Sequence, residues 1–369
     1  MFENVKIPSE LLPADGRFGC GPSLVRPEFL EDLAKIQRGF IGTSHRQAVV
    51  KDRVGHVISL LRSYLKVPKD YKIALGNGGA SLVWDMCAFS LVEKKATHFY
   101  GGEFGQKWFT SSEEAPFIEA RGVKAPNGEL PKFEVFSDSD VHAVTWNETS
   151  TGAMMPTAPS SGSSLLAVDA TSAAGALDWD LSKTDFFYFS PQKAFGSEGG
   201  LWVGIFSPRA VEQVARIAKS GRHIPAMLSF QEALTNGEAN QTYNTPSLTT
   251  LYLLERELEW LDKKGISTVD RESREKYKVL ADWVDRRDEL SFYVKNPEAR
   301  SFTVSTINII DSIPYMDLTK ALRKQGVLDI DCYRKLGVNQ IRISLFPNIS
   351  KQDLEKLTKC IDYLMDNRA

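Results

Sequence analysis

An α/β fold with a largely parallel sheet, joined to a smaller C-terminal α+β domain, is what the sequence predicts. Three observations carry it. Short apolar runs alternate with amphipathic helical stretches along most of the 369 residues, the pattern of strands and helices layered on one sheet. The runs near positions 165, 186 and 201 are continuously apolar rather than alternating, as in strands buried on both faces. From Ser247 onward, long charged helical patterns take over, with only two further strand-like runs between them.

The elements follow in order. Ala48–Leu65 carries Val50, Val54, Val57, Leu61, Tyr64 and Leu65 at helical spacing. Strands are expected at Tyr71–Leu75, His98–Tyr100, Val141–Trp146, Leu165–Val168, Phe186–Phe189 and Leu201–Phe206. A helix from Ser247 runs through Leu251, Leu254, Leu258 and Leu261 and stops at Gly265. A charged helix, Val269 to about Arg287, comes next. The remainder reads as a strand at Thr303–Ile310, a helix at Met316–Gln325, a strand at Gln340–Leu345 and a final helix at Lys351–Asn367.

Composition excludes several classes. Lys plus Arg number 45 and Asp plus Glu 47, a net charge of −2, which argues against a protein built around a nucleic acid. The longest apolar runs fall far short of the ~18–20 residues that span a bilayer. The first residues, MFENVKIPSELLPADG, do not read as a secretory leader. Cys20, Cys87, Cys332 and Cys360 are far apart in sequence. They offer no CxxC pair and no zinc spacing, and reduced thiols fit the cytoplasm. Histidines at 45, 56, 98, 142 and 223 form no HExxH pattern, so no metal is expected.

Three segments carry chemistry. In LLAVDATSAAG, Asp169 directly follows an apolar strand, and ligands of open α/β sheets bind at the carboxyl ends of strands. A turn or helix-cap role is the plain alternative. In FFYFSPQKAFGSEGG, Lys193 also follows a strand, amid small and apolar neighbours. Desolvation there would lower the amine's pKa and make it a nucleophile toward carbonyls; an exposed loop lysine is the alternative. In IALGNGGASLVWDM, a strand enters a glycine-rich turn before an apolar helix, where backbone N–H groups can meet a phosphate. The turn matches neither the Walker nor the GxGxxG pattern and is common by itself. Taken together, a phosphate cradle, a strand-end Asp and a strand-end Lys 24 positions later point to pyridoxal phosphate. The Lys would bond to it and the Asp would keep its ring nitrogen protonated.

With FGCGPSLVRPE near the start, TSHR at 43–46, GNGGAS at 76–81, GEFGQKW at 102–108, WNETSTG at 146–152, VDATSAAG at 168–175, SPQKAFGSEGG at 190–200, YNTPS at 243–247 and IRIS at 341–344, the chain resembles the class V aminotransferases of fold type I. Within them it is most similar to the phosphoserine aminotransferases of the actinobacterial type. The resemblance spans nearly the whole chain. It implies a large domain, 16–262, with a mostly parallel seven-stranded sheet flanked by helices. A small capping domain, 263–369, would follow, with residues 1–15 packed nearby.

The resemblance also implies site residues. Lys193 would form the Schiff base and carry a proton, with Asp169 on the ring nitrogen. Gly79, Ala80, Ser81 and Gln192 would hold the cofactor phosphate, Phe104 would stack on the ring, and Thr149 would bond its hydroxyl. Asn244 and Thr245 would reach the phosphate from the second protomer of a homodimer. Arg342 would grip the substrate α-carboxylate, and His45, Arg46 and Arg334 would read its distal anionic group. Where better-known relatives have a His-Arg pair, this chain has Tyr333-Arg334.

The activity implied is a cytoplasmic, ping-pong exchange of an amino group between glutamate and 3-phosphohydroxypyruvate in serine biosynthesis, with 4-phosphohydroxythreonine in pyridoxine synthesis as a possible second substrate. Rivals in the same fold are a cysteine desulfurase, for which Cys332 is the only candidate nucleophile, and a transaminase of the alanine- or serine-glyoxylate type. A rival of another class is a non-catalytic protein that only binds pyridoxal phosphate.

Overall fold

The computed structural model describes residues 1–2 and 5–368. Positions 3, 4 and 369 of the expected domains lie outside the described residues. The first half comprises α1 (Pro27–Phe40), α2 (Ala48–Tyr64), β1 (Lys72–Asn77), α3 (Ala80–Ser90), β2 (Lys95–Tyr100), α4 (Glu103–Glu113), β3 (Glu119–Lys124), β4 (Val141–Thr145) and the short pair β5 (Asn147–Glu148) and β6 (Ala153–Met154). Then come β7 (Leu165–Asp169), β8 (Phe186–Phe189), β9 (Leu201–Phe206), α5 (Pro208–Ala218), α6 (Phe230–Glu238), α7 (Leu248–Lys264) and α8 (Ile266–Asp285). The chain closes with β10 (Leu290–Phe292), β11 (Val304–Ile309), α9 (Tyr315–Arg323), β12 (Gln340–Ser344) and α10 (Lys351–Asp366).

Seven strands form the main sheet in the order β1-β9-β8-β7-β4-β2-β3. β3, β2, β4, β7 and β8 are parallel neighbours. β9 departs from the parallel pattern and runs antiparallel to both β8 and β1. The link 190–200 contains no crossover helix, and without one the chain reverses beside the strand it has just left.

The continuous apolar runs explain themselves here. Leu166, Val168, Phe187, Phe189, Val203 and Ile205 pack toward α2 and α7 on one face. Leu165, Ala167, Phe186, Tyr188, Trp202 and Phe206 pack toward α3, α4, α5 and α6 on the other. One expected strand lengthens, and one strand, β3, was not expected. The strand expected at His98–Tyr100 begins at Lys95, because the polar Thr97 ahead of His98 is buried and satisfied by Ser139 Oγ at 2.7 Å. β3 has no buried residue, as befits an edge strand without an apolar pattern.

A second core joins the sheet β10-β11-β12 to α9, α10, the C-terminal half of α8, and Phe2, Ile7 and Phe18 from the start of the chain. α8 belongs to both cores: Ile266 and Val269 lie in the first, and Leu280, Trp283 and Val284 in the second. Between them Lys276 is buried and donates to the Phe346 and Ile349 carbonyls at 2.6 and 3.3 Å, holding the β12–α10 loop against the first core. No described helix is long and apolar enough to cross a membrane.

Candidate active site

The parallel strands β4 and β7 and the turn after β8 end on the same edge of the sheet, and the chemistry-bearing residues gather there. Lys193 sits in the turn between the antiparallel β8 and β9. Its Nζ donates to the Cys20 carbonyl at 2.8 Å. The segment bearing that carbonyl is pinned on both sides. The Ser23 N–H donates to the Gln192 carbonyl at 2.8 Å, the Ser23 hydroxyl donates to Asn348 Oδ1 at 3.1 Å, and the Asn348 amide donates to the Leu24 carbonyl. Gly21 has φ +136°, and a side-chain carbon there would lie 1.8 Å from Lys193 Nζ, so only glycine lets this backbone lie against the amine.

The Lys193 side chain is half-buried and lines a cavity, and its amine is enclosed. Burial is the main reason its pKa falls to about 8. Arg342 pushes the same way, while Cys20 and Asp169 oppose. Asp169 is buried at the end of β7, opposite Tyr188 in the register, and accepts from the Thr171 N–H at 2.9 Å. Burial raises its pKa against the pull of hydrogen bonds from Thr171 and Tyr188. A buried carboxylate in this state gains most from a cationic partner.

The third wall is the entry to α3. Gly79 caps it at φ +91° with no capping side chain, so the first N–H groups of the helix are left for an anion. The fourth wall is Phe104, at the start of α4. The buried Glu148 carboxylate accepts from the Phe104 and Gly105 N–H groups at 3.3 and 3.0 Å, which fixes the helix start and the ring it carries.

These residues enclose about 210 Å³. Gly79, Ala80, Ser81, Phe104, Thr149, Asp169, Gln192 and Lys193 all line it, together with Trp84, Thr145, Asn147 and Thr171. The last three each bring a buried oxygen with no partner: Thr145 Oγ1, Asn147 Oδ1 and Thr171 Oγ1. An anion cradle, an amine, a buried acid and unsatisfied polar atoms around one cavity fit pyridoxal phosphate.

Comparison with known proteins decides the family. Residues 134–357 match the family Aminotransferase class-V. The phosphoserine aminotransferase of Corynebacterium glutamicum is 44% identical over 98% of this chain and 97% of its own. That of Rhodococcus jostii is 44% identical over 97% of both. The chain belongs to the class-V aminotransferases. Solved structures share the fold: the phosphoserine aminotransferase of Cytophaga hutchinsonii has a TM-score of 0.87 at 23% identity, covering 96% of this chain and 100% of that one. The enzyme of Bacillus circulans subsp. alkalophilus has a TM-score of 0.85 at 22% identity, covering 96% and 99%. The cofactor of this class-V aminotransferase is therefore pyridoxal phosphate, which supplies an electron sink for breaking bonds at the amino acid's Cα.

The remaining expected residues stand outside the cofactor cavity. Arg342, on β12, donates from Nη1 to the Thr149 carbonyl at 3.0 Å, and its buried Nε has no partner. Arg46 and Arg334 are exposed. His45 Nδ1 lies 2.9 Å from Thr245 Oγ1. Asn244 Oδ1 and the Thr245 carbonyl accept from the Asn77 amide at 2.9 and 2.7 Å. Within one chain, Asn244 and Thr245 thus face His45 and Asn77, not the Gly79–Ser81 cradle.

Trp84, Thr145, Asn147, Glu148 and Thr171 were not singled out from the sequence. The strand-end rule that found Asp169 applies equally to Thr145 and Asn147 after β4. Trp84, one helical turn past Ala80, donates to the Tyr188 hydroxyl at 2.8 Å.

The depressed pKa of Lys193 has a measurable consequence. At pH 7 an amine of pKa about 8 is about one-tenth neutral, against a few parts in ten thousand for an ordinary lysine. Uptake of pyridoxal phosphate by the cofactor-free protein should quicken about tenfold from about pH 7 to 9 and then level off. Absorbance at mixing follows it; a rate still climbing nearly in proportion to hydroxide between about pH 8.5 and 10 would mean an unperturbed amine.

Proposed function

We propose that this class-V aminotransferase exchanges an amino group between L-glutamate and 3-phosphohydroxypyruvate, giving O-phospho-L-serine and 2-oxoglutarate. The observation that carries this reading is the run of phosphoserine aminotransferases at 41–44% identity over nearly the full chain, combined with a cavity holding Lys193, Asp169 and the α3 cradle. In this reading Lys193 Nζ binds the cofactor and then takes and returns the Cα proton, a task suited to an amine titrating near neutrality. Asp169 holds the proton on the ring nitrogen. The α3 N–H groups and Gln192 hold the phosphate, Phe104 covers the ring and Thr149 bonds its hydroxyl. Arg342 takes the α-carboxylate through the guanidinium edge left without a partner. His45, Arg46 and Arg334 take the distal phosphate or carboxylate.

Cys332 is buried, which disfavours a desulfurase. A coupled assay of phosphoserine, phosphohydroxythreonine, serine, alanine and cysteine as donors to 2-oxoglutarate tests the reading. Phosphoserine should lead; equal rates for serine and alanine would move the enzyme to another branch. Bound cofactor with no turnover of any donor would make it a binding protein.

The proposed enzyme is a cytoplasmic homodimer with shared sites. Support comes from the 244–245 loop, which bonds to Asn77 and His45 and does not line its own cavity, and from exposed apolar side chains around it and His45: Ile41, Val49, Met227 and Tyr243. A second copy related by a twofold axis would cover these residues and receive the loop. Mixing inactive Lys193→Ala and Thr245→Ala proteins should restore part of the activity, because one hybrid site keeps both groups. No recovery, or a fully active monomer, refutes the sharing.

A further inference from the structure

The segment between α9 and β12 runs from the small core to the edge of the cofactor cavity. It is anchored behind by the Arg342 N–H, which donates to the Ile330 carbonyl at 3.0 Å, and by a bridge between Asp331 and Ile341. Asp329 at φ +65° and Gly337 at φ +63° flank it in left-handed backbone. Two side-chain contacts tie it to the start of α4. Lys335 Nζ donates to Glu103 Oε1 at 2.6 Å. The Tyr333 ring lies 5.8 Å from the Phe104 ring. Glu103 and Phe104 are the first two residues of α4, and Phe104 lines the cofactor cavity. On its other side the Tyr333 ring is 5.4 Å from the Arg342 guanidinium. One ring therefore separates a residue of the cofactor side from a residue of the substrate side.

Among the described residues, Lys335–Glu103 is the only ion pair from this segment to the large domain. Glu103 also faces Lys107 at 3.3 Å. Burial would raise its pKa, but the two ammonium groups outweigh that and hold it below the usual carboxylate range. Lys335 is 65% exposed, so water and salt weaken the pair. It is too weak to matter to the fold and well placed to set the segment's position.

We propose that Lys335 and Glu103 form a latch that seats Tyr333 between Phe104 and Arg342, and so aims Arg342 at the substrate carboxylate. Both are positioning residues, and the proposal rests on the transaminase reading above.

The test uses the cofactor-loaded enzyme with Lys335→Met, Glu103→Gln, the double variant and Lys335→Arg. Cofactor content and the rate at saturating glutamate should stay within about twofold of the parent. The KM for glutamate should rise about two- to fivefold in each single variant. It should rise no further in the double variant, since one latch breaks only once. Lys335→Arg should restore it, and about 0.5 M salt should raise the KM of the parent by a larger factor than that of the variants, which have no latch left to screen. The dissociation constant of glutarate, an unreactive dicarboxylate titrated by cofactor absorbance, should rise by the same factor. Losses that add in the double variant, or unchanged KM and glutarate binding, overturn the latch. A glutarate shift in a protein that turns over no amino donor keeps the latch and overturns the transaminase reading instead.

Discussion

A Lys193→Ala variant is expected to fold, to bind pyridoxal phosphate only loosely, and to lose transamination by about 10²–10⁴-fold or more. Among the described residues the amine is the only one lining the cavity, and Arg342 cannot replace it because a guanidinium stays protonated. Borohydride treatment of the parent should fix the label on Lys193, and the variant should take none. Stability should move the other way. The folded pKa of about 8 lies below the unfolded ~10.4, so the native state binds fewer protons between those values. The cofactor-free parent should therefore gain stability as pH rises from about 8 to 10, and the variant should lack that slope. A variant keeping more than about a tenth of the activity would remove Lys193 from the chemistry.

Asp169→Asn is expected to separate function from stability. The amide keeps the shape and can still accept from the Thr171 N–H, but it cannot pair with a protonated ring nitrogen. Losing one charged hydrogen bond typically costs ~1.5–3 kcal/mol, or about 10–150-fold in cofactor affinity. Turnover should fall at least as far, because the electron sink weakens as well. The cofactor-free protein should melt no lower than the parent, because a buried carboxylate with a raised pKa no longer has to be accommodated. A lower melting temperature with unchanged turnover would make Asp169 a structural cap.

Much of the site was legible because its residues sit at strand ends and helix starts, which local pattern reveals. Asp169 and Lys193 follow apolar runs, and Gly79 precedes an apolar helix. What stayed hidden depends on contacts distant in sequence. Nothing around Gly21 announces that Lys193, far along the chain, will lie against it. Glu148 carries no mark of its role within WNETSTG, yet it fixes Phe104 through the first N–H groups of α4. The polar Thr97 concealed the first half of β2 because its partner, Ser139, comes later in the chain. The reversed direction of β9 was hidden too, since a strand buried on both faces reads the same in either direction. The first turn of α8 was missed, where Ile266 joins the first core ahead of Val269 and the charged turns that marked the helix.

That reversed strand also fixes when the sheet can be finished during synthesis. β1 has a single neighbour, β9, whose residues 201–206 pair with 72–77 and leave the ribosome about 120 residues later. At ~5–20 residues per second, roughly 6 to 25 s pass with the apolar Ile73–Leu75 stretch unpaired. β2, β3 and β4 can assemble in that interval, but β1 must wait, shielded only by the helices made on either side of it, α2 and α3. The nascent chain is thus most open to chaperones and to mispairing between emergence of β1 and emergence of β9. Synonymous codons that slow translation while β1 is outside the ribosome and β9 is not would lengthen that exposure, whereas slow codons read after Phe206 has emerged would not.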